Sequence, residues 1–155
     1  MIDLTRISFG STSAIVTSMG LIVGLDAATA SRGALVSSLL IVALADNISD
    51  SLSIHVYQES EHLESRAAFR ATLTNFMARL VVALTFVVLA IGLPQRALAP
   101  VALGWGLLLL GALSAQLARS RGASVTGEVG KHLGVALVVI VASREVARVI
   151  ADYVR

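Results

Sequence analysis

The sequence predicts an all-α, polytopic membrane protein: one domain of five transmembrane helices. Three observations carry that prediction. Of the 155 residues, 56% are hydrophobic and 14% charged, where a soluble domain is typically about 25% charged. The mean hydropathy is +0.84, and the apolar residues gather into runs approaching the roughly 20 that a helix needs to cross a bilayer. Charged and turn-forming residues fall between the runs. Cysteine is absent, which excludes disulfides, thiolate zinc sites and Cys-ligated clusters. The net charge of +2 comes from arginines standing mostly singly near predicted helix ends, the pattern of headgroup anchoring and not of a nucleic-acid surface. No nucleophile elbow, phosphate-cradling loop or HExxH spacing occurs, so an enzyme is not expected.

The first segment, residues 7–28, follows a short polar start. Its Gly10, Ser13, Thr17, Gly20 and Gly24 recur at three- and four-residue steps, so one stripe of the helix is small and lets another backbone approach. That stripe is expected to meet the second helix or a second protomer. Ala28-Thr29-Ala30 has the form of a signal-peptidase site, but Asp3 beside the only nearby arginine and the polar stripe through the apolar run argue for a retained helix. A tight turn near residues 30–33 leads into the second segment, residues 32–57.

The second segment ends in the stretch that dominates the sequence, IVALADNISDSLSIHVYQESE from Ile41 to Glu61. Asp46, Asp50, Ser53 and Tyr57 fall at i, i+4, i+7 and i+11 and share one stripe of a helix. Each carboxylate placed in a membrane helix costs about 2.5–3.5 kcal/mol on insertion scales, so such residues usually face a polar interior and serve a function. A row of oxygen donors suits hard or borderline divalent cations. His55 points away from the stripe and reads as an interhelical residue.

Residues 58–75 read as a short polar, amphipathic connection on the cytoplasmic side, in which Glu59, Glu61, His62 and Glu64 either collect cations at a pore mouth or form a solvated face. The third segment, residues 76–93, is almost wholly apolar and reads as a lipid-facing wall, with Arg79 snorkelling to the interface. Pro94 and Pro100 bracket a turn around Arg96. The fourth segment, residues 100–117, sets Gly104, Gly111 and Ser114 near one face. The fifth, residues 126–150, has an apolar middle shorter than a full span, flanked by Glu128, Lys131 and His132 and by Arg144, Glu145 and Arg148. His132 is expected among headgroups, and Met19 and Met77 in packing. With five spans, Arg6, Arg66, Arg70, Arg119, Arg121 and Lys131 lie on one side and Arg32, Arg96 and Arg155 on the other. The positive-inside rule then places the N-terminus in the cytoplasm.

These segments resemble the vacuolar iron transporter family. FGSTSAIVTSMGLIVGL is similar to that family's first helix, ALADNISDSLSIHVYQESE to its second, and LLLLGALSAQLARSRGASVTGEVGKHLGVALVVIVA to its last two. Asp46 matches the acid of the family's L-A-(D/E) and Ser53 the serine of its I-S-M, whose methionine is Ile54 here. Ser13 stands where the first helix usually carries an acid, and Asp50 where the second has a small residue. The larger relatives' cytoplasmic metal-binding domain is missing. The resemblance implies a prokaryotic inner-membrane transporter of Fe²⁺ or Mn²⁺, and exchange of metal for protons is expected from Asp46 and Asp50 themselves, since carboxylates at membrane depth can hold either ion. It also implies a homodimer through the first two helices, with no permanently bound cofactor. Asp46, Asp50, Ser53, Ser13, Asn47, Glu59 and Glu61 are the candidate metal ligands. The competing expectation is a non-transporting scaffold or partner subunit in which Asp46, Asn47 and Asp50 only hold helices together, for instance by pairing with Arg79.

Overall fold

The computed structural model describes residues 4–60 and 65–153. Five helices follow one another, α1 Leu4–Ala27, α2 Arg32–Ser60, α3 Ser65–Gly92, α4 Gln95–Ser120 and α5 Val125–Tyr153, with no strand among the described residues. Short connections make successive helices antiparallel neighbours. After α1, Thr29 takes a left-handed conformation (φ 56) and Ala30 N–H returns to the Leu25 carbonyl at 2.9 Å. Ser31 then caps α2, its Oγ accepting the Ala34 N–H at 3.2 Å. After α4, Gly122 (φ 64) lets Ala123 N–H close on the Ala118 carbonyl at 2.9 Å, the glycine-dependent ending of many helices.

Two boundaries differ from the sequence reading. Helix α3 begins at Ser65, about ten residues before the apolar run, because SRAAFRATLTN is good helix-forming sequence that is simply too polar to register as hydrophobic. Helix α4 begins at Gln95, with Pro94 as its extended N-cap, so Pro100 sits inside the helix. Arg96 and Pro100 therefore do not form a turn, and what the ring removes is the N–H that would have reached the Arg96 carbonyl.

Helix α1 is the hub. It packs against α3, α4, α5 and, more lightly, α2, while α2 pairs with α3, and α4 with α5. The outer four form an arc around α1 that stays open between α5 and α2, which share no packed seam among the described residues. The core is built from Ile15, Met19 and Ile22 of α1, Leu35 and Leu39 of α2, Phe86, Val87 and Ala90 of α3, and Leu98 and Ala102 of α4. Small residues set the approach distances. Gly20 and Gly24 of α1 lie on Ser143 of α5, and Gly106 of α4 lies on the buried Met19. The glycines of the α1 stripe thus serve α5 and α3 within the chain, and not α2, the intramolecular partner of the two that the sequence reading offered, a second protomer being the other. Buried residues of α4 recur every fourth position, from Leu98 through Ala102, Gly106, Leu110 and Ser114 to Ala118. Four residues turn a helix about 40° past a full circle, so this seam winds from α1 at Gly106 to α5 at Ser114. Helix α3 is no simple wall: Val81, Leu84, Val88 and Ile91 are exposed, while Asn75, Arg79, Ala83 and Phe86 are buried.

Helices α1 to α4 are long and apolar enough to cross a membrane. Helix α5 fails on composition, because its charged ends leave a short apolar middle. Even so it carries part of an exposed apolar belt, with Val135, Leu137, Val138 and Val141 joining Ile41, Leu44 and Ile48 of α2, Val88 and Ile91 of α3, and Leu108 of α4. Exposed aliphatic surface on this scale is compatible with an integral membrane protein and foreign to a soluble monomer.

The packing generates a contrast. Gly106→Leu and Gly20→Leu push side chains into Met19 and into Val139 and Ser143, and should each destabilise by about 1–3 kcal/mol. Gly104→Ala meets nothing within 4 Å and should be neutral or gain up to about 1 kcal/mol of helix propensity. Thermal unfolding of detergent-solubilised protein, followed by circular dichroism, reads all three.

Candidate functional site

Helices α2 and α3 are antiparallel in a register fixed at one end, where the Arg32 guanidinium hydrogen-bonds the Leu93 carbonyl. Gln95 Nε2 ties the adjacent loop to the Ala30 carbonyl at 2.9 Å. That register sets Asp46, Asn47 and Asp50 opposite residues 75–79. Asn47 donates from Nδ2 to the Phe76 carbonyl at 2.9 Å. Arg79 donates from Nη2 to Asp46 Oδ2 at 2.6 Å and from Nη1 to Asp50 Oδ2, forming both ion pairs at once.

Arg79 is 2% exposed, the reverse of the snorkelling expected from its place in an apolar run. A built Cβ on Gly10 would come within 2.7 Å of Arg79 Cγ and still closer to Asn75. The missing side chain in α1 is therefore what lets the arginine lie inside. Its pull is Coulombic: a lone buried guanidinium is costly, whereas one held by carboxylates is compensated. The compensation overshoots, since two carboxylates face one guanidinium and the cluster carries a net charge of −1.

Around the ion pairs lies further polar matter. Ser11, Ser18, Asn47, Ser51 and Asn75 are all buried. Asn47 Oδ1, Ser51 Oγ, Arg79 Nε and both amide atoms of Asn75 have no hydrogen-bond partner among the described residues. A cavity of about 20 Å³ adjoins the cluster, lined by Thr17 and Ser18 of α1, Asp46 and Asn47 of α2, and Arg79 of α3, among others. That is room for about one water molecule. The aspartates are not sealed, their side chains being 43% and 38% exposed. Along α2, Asp46 stands about 21 Å and Asp50 about 27 Å from Arg32. In a hydrocarbon slab about 30 Å thick, the cluster falls in the third nearest the α1 N-terminus.

The other predicted ligands are not brought here. Ser53 is exposed and its hydroxyl donates to the Ser49 carbonyl of its own helix at 3.0 Å. Ser13 is half-buried but does not line the cavity, where Thr17 and Ser18 stand instead. The Glu59 side chain and residues Glu61, His62 and Glu64 lie outside the described residues. Among the described residues no three of His, Cys, Asp and Glu converge as a metal centre. His132, expected among headgroups, sits half-buried with Nδ1 2.9 Å from Ser114 Oγ, joining α4 to α5. Asn75 is the residue here that the sequence reading missed, while the pairing of Arg79 with the acids, expected there only in the scaffold alternative, is what the structure shows. The signal that finds them is the short α2–α3 connection, which makes the two helices antiparallel neighbours and puts Arg79 opposite the acids.

The charge count predicts an asymmetry. Arg79→Gln leaves two partly exposed carboxylates one turn apart without a counter-ion and should destabilise measurably, by less than the about 3–5 kcal/mol of a fully buried pair. Asp46→Asn or Asp50→Asn alone leaves one acid on one base and should cost clearly less, as read by thermal unfolding at neutral pH. Compared with known families, curated proteins and solved structures, the chain matches no family model and shows no significant similarity to any of the proteins or folds.

Proposed function

We propose that the chain is an integral membrane transporter of divalent cations. In this reading all five helices cross a prokaryotic inner membrane, the N-terminus is cytoplasmic, and two copies assemble through α1 and α2. The observation that carries it is the surplus carboxylate. A net negative charge at membrane depth demands a positive partner, and the partly exposed edges of Asp46 and Asp50 supply oxygen donors for one. The proposal includes exchange of metal for protons, since the carboxylate oxygens that would hold a metal are also those that a proton would occupy once Arg79 and the metal have left them. Arg79 occupies the inner side of the acid pair as a tethered cation, so a metal ion competes with it for the same oxygens. This arrangement corresponds to a closed, metal-free state. Iron and manganese stay first among candidate ions because of the likeness of the Asp46 and Ser53 segment to the vacuolar iron transporters. The open side of the arc supports the dimer. Thr17 and Leu21 of α1 line both the cavity and a groove beside α5, and a second copy set there covers carboxylates that hydrocarbon does not solvate.

One observation favours a second reading. Arg79 already contacts both acids, and a clamp of this kind suffices to hold α2 on α3 in a scaffold that moves nothing. Manganese uptake into proteoliposomes, with a pH dye inside, separates the two. The transporter takes up Mn²⁺ with an opposing proton movement, and the Asp46→Asn, Asp50→Asn double variant falls to the level of empty liposomes. Absence of uptake by the unaltered protein, or equal uptake by the double variant, overturns the proposal. Arg79→Gln, if folded, binds Mn²⁺ at least as tightly as the parent in a transporter and not at all in a clamp.

The dimer is tested separately. The chain has no cysteine, so Thr17→Cys introduces a single thiol in the open face and should give a disulfide-linked dimer in membranes. Val88→Cys on the exposed face of α3 should not.

A further inference from the structure

At the opposite end from the aspartates, where α1 finishes and α4 begins, the last helix carries charges that the proposed transport does not use. A cleft of about 390 Å³ opens there between α1, α4 and α5, within the usual range for small-ligand sites. Arg144 and Arg148 of α5 line one side and Asp26 of α1 another, over apolar walls that include Val23, Pro100 and Leu103. Arg148 shares its guanidinium with Glu145 at 3.1 Å. Neither Arg144 nor the Asp26 carboxylate has a hydrogen bond or ion pair with any described residue. Opposite charges therefore face one cleft without meeting across it.

We propose that this cleft binds a phosphate group that carries a primary amine, of the phosphoethanolamine class, with the phosphate on Arg144 and Arg148 and the ammonium on Asp26. Paired guanidiniums one helical turn apart suit phosphate oxygens, which accept several N–H bonds at once. A carboxylate held apart from them fits a ligand whose positive group is separated from its negative one. The level of the cleft points to its source. It sits at the last turn of α1 and the first turns of α4, the headgroup depth of a slab laid over these helices, and its floor is apolar enough for the start of an acyl chain. The proposal rests on membrane embedding and not on cation transport.

The experiment uses the full chain in nanodiscs of phosphatidylcholine containing equal small fractions of phosphatidylethanolamine and phosphatidylglycerol, with retained lipid read by native mass spectrometry. Phosphatidylethanolamine should be retained preferentially. An Arg144→Gln, Arg148→Gln variant should lose about tenfold or more of that retention. Asp26→Asn should abolish the preference for ethanolamine over glycerol while phosphate-bearing lipid is still held. The three altered side chains are exposed, and unchanged thermal unfolding in pure phosphatidylcholine verifies that each variant is folded. Competition by free phosphoethanolamine at millimolar concentration assigns the site to a soluble ligand, and its failure assigns the site to the lipid. Equal retention of all three lipids by the unaltered protein, or retention unaffected by the arginine substitutions, overturns the proposal. Loss of Mn²⁺ uptake has no bearing on it.

Discussion

One ion-pair cluster constrains everything around it. Arg79 is buried among helices whose outer surface is aliphatic, and it is tolerable there because two carboxylates one helical turn apart on α2 reach it together. That requirement fixes the α2–α3 register, since sliding the pair by one turn would strand either the base or the acids. It also dictates the residue on the third helix, for Gly10 leaves the space in which the arginine and Asn75 lie. Sequence, register and close packing are here consequences of a single electrostatic need. The need is met with one acid to spare, and this surplus, not the presence of aspartates as such, is what the proposed transport would draw on.

The second constraint is steric. The first helix must touch three long neighbours and approach a fourth, and it does so by giving each a small or flexible surface. Glycines 20 and 24 accept α5, Met19 folds over Gly106 of α4, and Gly10 accepts the polar side chains of α3. Nothing equivalent closes the arc between α5 and α2, where Thr17 and Leu21 remain accessible. The bundle spends the glycines of its hub on internal packing, yet leaves one angular sector uncovered beside partly exposed carboxylates.

The fold was legible in the sequence where hydropathy decides. The five helices, their order and their approximate centres follow from runs of aliphatic residues, and the α1 to α4 spans pass on length and composition. Legibility failed where helix formation and hydrophobicity part company. The first turns of α3 are helical but polar, and the first turns of α4 are helical despite Pro100. The acids were legible as a site because charge in an apolar run is conspicuous. Their pairing with Arg79 was legible only as one of two alternatives, since an arginine near the start of an apolar run reads equally as an interface anchor, and only the pairing of α2 with α3 decides. The contact of His132 was not legible for the same reason: a polar residue beside Lys131 looks solvated until Ser114 of the neighbouring helix is seen to meet it. Ser53 shares the aspartates' stripe by count alone. Its short hydroxyl takes the carbonyl of its own helix before it can reach across.

The interior is divided along its length, and the division limits what any pathway can be. Toward the α1–α2 turn the core is apolar, with Met19, Ile22, Leu35, Leu39, Phe86, Ala90 and Leu98 in mutual contact, and the two loops at that end are tied together by Arg32 and Gln95. Toward the α1 N-terminus the buried residues are Ser11, Asn47, Ser51, Asn75 and Arg79, several of whose polar atoms lack a partner among the described residues. Separating helices in the first half exposes close-packed hydrocarbon, whereas separating them in the second exposes groups that water satisfies better than the protein does. Opening therefore belongs to the polar half, and a charged solute admitted there finds polar lining only as far as Thr17 and Ser18. Beyond that level the single chain presents a dry plug, and the one sector not closed by its own packing is the face between α5 and α2. In the proposed transporter, passage to the other side would therefore run along that face, with the wall opposite α1 supplied by the second copy that the proposal places there.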